Sequence, residues 1–313
     1  MTGKINNVAV IGTGVIGTGW IIRFLTNKKK VWVYDVDRKK MMSLKKDIKK
    51  TLPHINKLFK KNIKKIENLH LVNSIEDAVK NADFIQECAL ENEKLKIKIV
   101  SEIGKFAKKN AIIASSSSGL LPSKIQIKCY NPKRFVIGHP FNPVYILPLV
   151  EVVPGNKTSR NTVLSASKFY ESLSMKPLIL KKELPGYLSD RLQEALWREA
   201  LHIVNEGYAT TQDLDRSIIH GPGLRWSLMG TFLTFHLAGG KEGMAHMLRQ
   251  FGPALKLPWT KLKAPKLSKK LSTKIISGTK KQSQSQNISQ MNKLRDEYLV
   301  SLIKLRNRYK KLF

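Results

Sequence analysis

The sequence predicts an α/β domain built on a mostly parallel, doubly wound sheet, followed by an all-α C-terminal domain. Three observations carry this reading. The chain has 313 residues, about twice the usual domain size, so two cores are expected. Its first half alternates short apolar runs with amphipathic stretches, the signature of βαβ units. Past a break at 181–186, where paired lysines precede Pro185 and Gly186, the apolar period changes to 3.6.

Apolar runs predict strands at 7–11, 31–34, 84–88, 111–114, 134–138, 149–153 and 177–180. Amphipathic stretches between them predict helices at 15–27, 39–50, 92–109 and 161–173. The break divides the chain into 1–184 and 185–313, with a basic tail after about residue 265. In the second part, Leu188, Leu192, Leu196, Ala200 and Ile203 share one helical face, and 211–215 reads as the capped start of another helix. The low-complexity patch 280–286 is expected to be a surface loop before a last amphipathic helix at 291–312.

Composition narrows the class. With 42% hydrophobic and 25% charged residues the chain is expected to be folded and soluble rather than disordered or fibrous. Two cysteines, Cys88 and Cys129, lie far apart without CxxC spacing, which excludes a disulfide framework or zinc knuckle, calls for no metal, and suits a reducing cytoplasm. The opening Met1, Thr2, Gly3, Lys4 lacks the start of a signal peptide. Nor does any apolar run approach membrane-span length.

Lys and Arg total 56 against 23 Asp and Glu, a net charge of +33. Residues 28–65 hold 15 basic and 3 acidic side chains, and 256–313 hold 16 and 2. Lysine dominates, in pairs at helical spacing, with few aromatics interleaved. A nucleic-acid reader favours arginine and stacking rings on one element, so these lysines read as solvated helix faces and no specific nucleic-acid partner is expected, although sequence-independent association through them remains an open alternative.

Gly12, Gly14 and Gly17 form GxGxxG between a strand and a helix, and Asp35 ends the next strand. This is the Rossmann dinucleotide pattern. The first glycine permits the tight turn, the second admits a pyrophosphate, and the third allows close helix packing. Thr13, Val15 and Ile16 complete the loop at the helix N-terminus, where negative charge is favoured. Asp35 would accept from the adenosine ribose hydroxyls and repel a 2′-phosphate, which favours NAD, with the nearby Arg38 pulling the other way. Four serines, 115–118, follow a strand at the ligand-binding edge of such sheets. His139 ends another strand, and Glu151 lies inside an apolar run. A carboxylate there needs a partner. A histidine held by it would gain basicity and a fixed tautomer, and a His–Glu couple beside a nicotinamide is what alcohol oxidation needs.

GTGVIG at Gly12, ASSSSGL at Ala114, GHPFNPV at Gly138, LVE ending at Glu151 and PGYLSDRL at Pro185 resemble, in order and spacing, the 3-hydroxyacyl-CoA dehydrogenase superfamily over roughly residues 5–260. The resemblance implies that Ser118 hydrogen-bonds the substrate oxygen, His139 is the general base and Glu151 orients it. It implies that Glu91 and Lys96 contact the cofactor, with Ser116 standing where the acyl-CoA enzymes have asparagine. It also implies a helical domain that forms homodimers, here through the apolar stretch 226–237, and an active site in the cleft between the domains.

Within the superfamily, HPFNPVYILPLVEV, EALWREALHIVNEG, GPGLRWSLMGTFLTFHLAGG and FGPALKLPWTKL look most like the branch acting on L-carnitine. That implies a small-molecule substrate carrying a trimethylammonium, which aromatic faces and a carboxylate suit. Phe141 with its neighbour Asn142, Trp226 and Phe251 are then substrate-side candidates. Asp190, where the acyl-CoA enzymes carry an amide, is the candidate counter-charge. Oxidation of an acyl-CoA or of L-gulonate, and a non-catalytic NAD-binding relative, are the competing readings.

Overall fold

A computed structural model of the chain describes residues 5–63, 67–227, 229–261, 263, 266, 268–282 and 288–308. It divides into two compact units, Met1–Arg191 and Leu192–Phe313.

The first unit is built on eight strands: β1 Asn7–Ile11, β2 Lys30–Tyr34, β3 Leu69–Leu71, β4 Phe84–Glu87, β5 Ile112–Ser115, β6 Phe135–Pro140, β7 Leu149–Val153 and β8 Lys176–Ile179. Their order is β3-β2-β1-β4-β5-β6-β7-β8. The first six in that row run parallel. β7 turns back antiparallel to β6, and β8 runs parallel to β7. Helices α1 Val15–Thr26, α2 Arg38–Phe59, α3 Ile75–Val79, α4 Glu93–Phe106, α5 Pro122–Ile125 and α6 Arg160–Ser172 connect them.

Alternate residues of one strand point to opposite faces of a sheet. In β1, Val8 and Val10 enter one buried cluster with Trp20, Phe24 and Phe169, while Ala9 and Ile11 enter another with Ile85, Val100 and Ile113. Helices cover both faces, which is why the strands read as continuous apolar runs rather than alternating ones. Helix α2 extends past the expected end at residue 50, through Pro53, to Phe59. Its apolar series Met41, Leu44, Ile48, Leu52, Ile55 stays buried throughout, and this packing outweighs the proline. Lys45, Lys46, Lys49 and Lys50 are exposed on the same helix, the solvated face expected from the charge pattern.

The described part of the second unit contains helices and no strand. After α7 Ser189–Glu206 come α8 Thr211–Ile219, α9 Pro222–Trp226, α10 Thr231–Ala238, α11 Met244–Phe251, α12 Lys269–Gln282 and α13 Ile288–Arg308. Thr210 and Asp213 close a reciprocal capping box on α8. On α7 the residues buried are Leu201 and Val204, whereas Leu192 on the expected apolar face is 71% exposed. Of the patch expected to be a loop, residues 280–282 are the end of α12 and 283–286 lie outside the described residues, as do Pro265 and the last part of the expected 291–312 helix. No helix among the described residues is long and apolar enough to cross a membrane.

Candidate active site

The turn after β1 is shaped by its glycines. Gly12 has φ +101°, a conformation few L-residues adopt, and a Cβ there would lie 2.6 Å from the Cys88 carbonyl oxygen. At Gly17 a Cβ would overlap the Gly12 carbonyl, so the third glycine lets α1 close onto the loop. Gly14 is different, with nothing within 4 Å of its would-be Cβ. That space opens at the N-terminus of α1, whose cap, Gly14, offers no side-chain acceptor. First-turn amides of a helix have no intrahelical partner, so those at Val15, Ile16 and Gly17 are available to an anion.

Asp35, one residue beyond β2, braces this loop. Its Oδ2 accepts from the Thr13 amide at 2.6 Å and the Thr13 hydroxyl at 2.8 Å, and its Oδ1 accepts from the Asp37 amide at 2.8 Å. Burial works against ionisation, but the Asp37 and Thr13 hydrogen bonds and the Lys40 charge outweigh it and hold the carboxyl below its usual range. Gly12, Gly14, Asp35, Val36, Leu90 and Ile99 help line a cavity of about 430 Å³. An open pyrophosphate position, an acid beside the pocket and apolar walls together fit a dinucleotide.

Beyond β4 lies a buried ion pair. Lys96 Nζ reaches both oxygens of Glu87 at 3.0 and 3.1 Å, the Ala89 carbonyl at 3.0 Å and Glu91 Oε2 at 3.5 Å. The Ser115 hydroxyl also donates to Glu87. Glu91 in turn accepts from the Ser117 hydroxyl at 2.5 Å and the Ser118 amide at 3.0 Å, so the serine loop is fixed through it and the Ser118 side chain is left at the surface. Ser116 turns the other way. Its buried hydroxyl accepts from Trp20 Nε1 at 3.0 Å and Gln86 Nε2 at 2.8 Å.

His139 and Glu151 face each other across the antiparallel β6–β7 pair. Nδ1 of the buried imidazole lies 2.8 Å from Glu151 Oε2, and an ionised carboxylate there makes that nitrogen the donor and leaves Nε2 as the acceptor. The other oxygen of Glu151 accepts from the amides of Leu188 and Ser189, both at 3.1 Å, and from the Ser189 hydroxyl at 3.3 Å. Positive φ at Gly186 (71°) and at Tyr187 (45°) turns the chain so that these donors converge. Burial opposes the charge on Glu151, but His139 and the two amides outweigh it and keep the carboxyl below its ordinary value. Asp190 Oδ2 lies 3.6 Å from His139 Nε2, and the rings of Phe141 and Tyr187 stand 5.1 and 5.4 Å from the imidazole.

Residues 7–184 match the model of the 3-hydroxyacyl-CoA dehydrogenase NAD-binding domain, and residues 186–283 match that of its C-terminal domain. The chain belongs to the 3-hydroxyacyl-CoA dehydrogenase family. It is 50% identical to an L-carnitine dehydrogenase of Oceanobacillus iheyensis, over 95% of this chain and 97% of that protein. An L-carnitine dehydrogenase of Burkholderia mallei is 47% identical over 96% of this chain and 94% of its own length. Among solved structures, an NAD-dependent dismutase, 5-formyl-3-hydroxy-2-methylpyridine 4-carboxylic acid 5-dehydrogenase, superposes with a TM-score of 0.82 at 25% identity, covering 97% of this chain and 99% of that one.

As an oxidoreductase of this family the chain has NAD as its cofactor, and the glycine loop and Asp35 are the candidate residues to hold it. Lys96 is enclosed by Glu87, Glu91 and Ala89 and holds those groups together beside β4. Asn142 is exposed in the loop after β6. Trp226 and Phe251 belong to the second unit, where they are 42% and 46% exposed. Sequence reasoning missed Glu87, whose only signal was an acid closing an apolar strand, the donors at Leu188 and Ser189, and the ring of Tyr187 beside the imidazole. Among the described residues no cluster of three or more His, Cys, Asp or Glu is arranged to hold a metal.

Proposed function

We propose that this dehydrogenase oxidises L-carnitine to 3-dehydrocarnitine. Bound NAD supplies the hydride acceptor for the carbinol hydrogen. His139 Nε2 takes the hydroxyl proton, Glu151 holds the ring in the tautomer that can do so and stabilises the imidazolium, and Ser118 hydrogen-bonds the substrate oxygen. The observation that carries this reading is the 2.8 Å contact between His139 Nδ1 and Glu151 on an otherwise apolar strand pair, in a chain that matches L-carnitine dehydrogenases along nearly its whole length.

Asp190 suits the cationic end. In carnitine the onium nitrogen is two bonds from the carbinol carbon. A carboxylate 3.6 Å from the proton-accepting nitrogen therefore lies within ion-pairing range of the trimethylammonium, and the Phe141 ring, 5.1 Å from the imidazole, borders the same space. In a partly desolvated site the attraction amounts to roughly one to a few kcal/mol.

The test is NADH formation from NAD at alkaline pH with L-carnitine, 3-hydroxybutyrate, 3-hydroxybutyryl-CoA and L-gulonate. Carnitine is expected to be the preferred substrate, and Asp190→Asn is expected to lower kcat/KM selectively for it by about one to two decades. Efficient oxidation of the acyl-CoA or sugar acid with none of carnitine would overturn the assignment.

Pairing of two copies through the second unit belongs to the same proposal. Phe232, Leu233, Phe235 and Leu237 on α10 are all exposed, Phe232 by 82%, an apolar display that a monomer rarely leaves open. The free thiols Cys88 and Cys129 suit a reducing compartment, the cytoplasm.

A further inference from the structure

Arg23 is a buried cation, 1% exposed, near the end of α1, and among the described residues no carboxylate pairs with it. Burial lowers its pKa to about 10, so at neutral pH it stays charged inside the core. Its acceptors are main-chain carbonyls. Nε and Nη2 donate to the Val144 oxygen at 3.1 and 2.8 Å, Nη2 to the Leu147 oxygen at 3.0 Å, and Nη1 to the Leu173 oxygen at 3.4 Å.

Val144 and Leu147 lie in the 141–148 segment, which joins the strand carrying His139 to the strand carrying Glu151. Neither carbonyl accepts a main-chain hydrogen bond among the described residues. The segment folds on itself through the Ile146 and Leu147 amides, both 2.9 Å from the Pro143 oxygen, and Pro148 at its far end accepts from the Lys176 amide of β8 at 2.7 Å, which leaves the 143–147 turn to the Arg23 fork. A planar guanidinium can meet two carbonyls in one fixed geometry, which an ammonium does poorly. Gly19 adds close approach, since a Cβ there would lie 2.8 Å from Val144 Cβ. The helix that carries Arg23 is the one whose first turn offers the free amides of Val15, Ile16 and Gly17.

We infer that Arg23 is a positioning residue, which fixes the 141–148 loop, and with it Phe141 and Asn142, in register with the cofactor-binding helix. It touches neither reactant. Its effect on catalysis rests on the proposed role of His139 and Glu151, but its effect on the loop does not. Removing the fork takes the donors from the Val144 and Leu147 carbonyls of the loop and from the Leu173 carbonyl and lets the loop move, and misplacement of about 1 Å in substrate-positioning groups costs about a hundredfold in rate.

The test uses the full chain with Arg23→Met and Arg23→Lys. Three readouts are taken: kcat and KM for L-carnitine, NADH affinity by fluorescence, and hydrogen exchange at the Ile146 and Leu147 amides. In the methionine variant kcat/KM should fall by about a hundredfold, mainly through KM. NADH affinity should be unchanged, and exchange should accelerate in the loop but not in β1. The lysine variant should recover part of both losses. Loop exchange unaltered in both variants, or NADH binding lost in step with catalysis, would overturn the inference. Should the methionine variant not fold, the lysine variant decides by the same criteria. If the wild type oxidises none of the 3-hydroxy acids, the proposed function fails while loop exchange still decides the role of Arg23.

Discussion

Replacing Glu151 with Gln isolates the carboxylate at the centre of the site. It keeps the shape and removes the charge, and the four contacts around it leave the amide no good orientation. With its oxygen toward His139 Nδ1, its NH2 group points at the Leu188 and Ser189 amides, donor against donor. Each buried donor left without an acceptor costs about 1–3 kcal/mol. Turned the other way, its NH2 donates to Nδ1, and the imidazole must carry its proton on Nε2, where it can no longer accept one from a substrate. A wrong-tautomer histidine in a comparable hydrolase triad costs about four orders of magnitude, and here a loss in kcat of about three to four orders, or about 4–5.5 kcal/mol, is expected. The assay is NADH production under saturating NAD and L-carnitine, with NADH affinity measured in parallel. Affinity should be retained because the hydrogen bonds of Glu151 run to His139, Leu188 and Ser189, and among the described residues none runs to the glycine loop. A loss in kcat smaller than about tenfold would refute the argument that Glu151 sets the tautomer.

Three further outcomes follow from the same geometry. Gly14→Ala should raise KM for NAD with little change in Tm, because the methyl enters open space where the phosphates would sit, whereas Gly17→Ala should lower stability by about 1–3 kcal/mol through overlap with the Gly12 carbonyl; equal melting of the two variants would contradict this. Asp35→Ala should weaken NAD and narrow the gap to NADP in parallel kinetic measurements, and a wild type that already prefers NADP would defeat the assignment. Asp35 and Glu151 both have carboxyls held below their usual range in the fold, so the unfolded chain binds protons first as pH falls. Their stabilisation is complete above the ordinary carboxylate range, about pH 4, and is lost as pH drops through the folded values, so Tm should decline with acid, less steeply in Glu151→Gln than in wild type. A wild-type Tm that stays flat into that range would count against both assignments.

Much of the first unit was legible because its signals are local. The strands 7–11 and 149–153 emerge at the expected bounds, since a strand buried on both faces writes itself as an apolar run. β3 did not, because three residues with His70 and Leu71 exposed leave no such run, and α2 runs beyond the expected residue 50 because burial of Leu52 and Ile55 carries it past Pro53. At the site, the pairing of Glu151 with His139 could be anticipated from the cost of an isolated buried carboxylate. The Glu87–Lys96 pair could not, because Lys96 sits on a helix whose other lysines are solvated, and only the tertiary structure turns this one inward. The donors at Leu188 and Ser189 are main-chain groups aimed by positive φ at Gly186 and Tyr187, and a sequence does not spell out where an amide points.

The reversal at β7 has a further consequence. In the parallel part of the sheet each ligand-side group sits just past the end of its own strand, so Gly12, Asp35 and the serine loop are gathered from segments spread over a hundred residues of chain. Glu151 is the third residue of β7 and reaches the same rim only because that strand arrives from the opposite direction. The proposed proton-handling couple is thus encoded in one short hairpin, while the candidate cofactor cradle depends on contacts distant in sequence. Loop closure makes the latter the slower to assemble. A chain caught part-way through folding can therefore bring its imidazole and carboxylate together before it can hold a nucleotide, and lesions in the β1–β2–β4 region should abolish cofactor retention while leaving that hairpin in register.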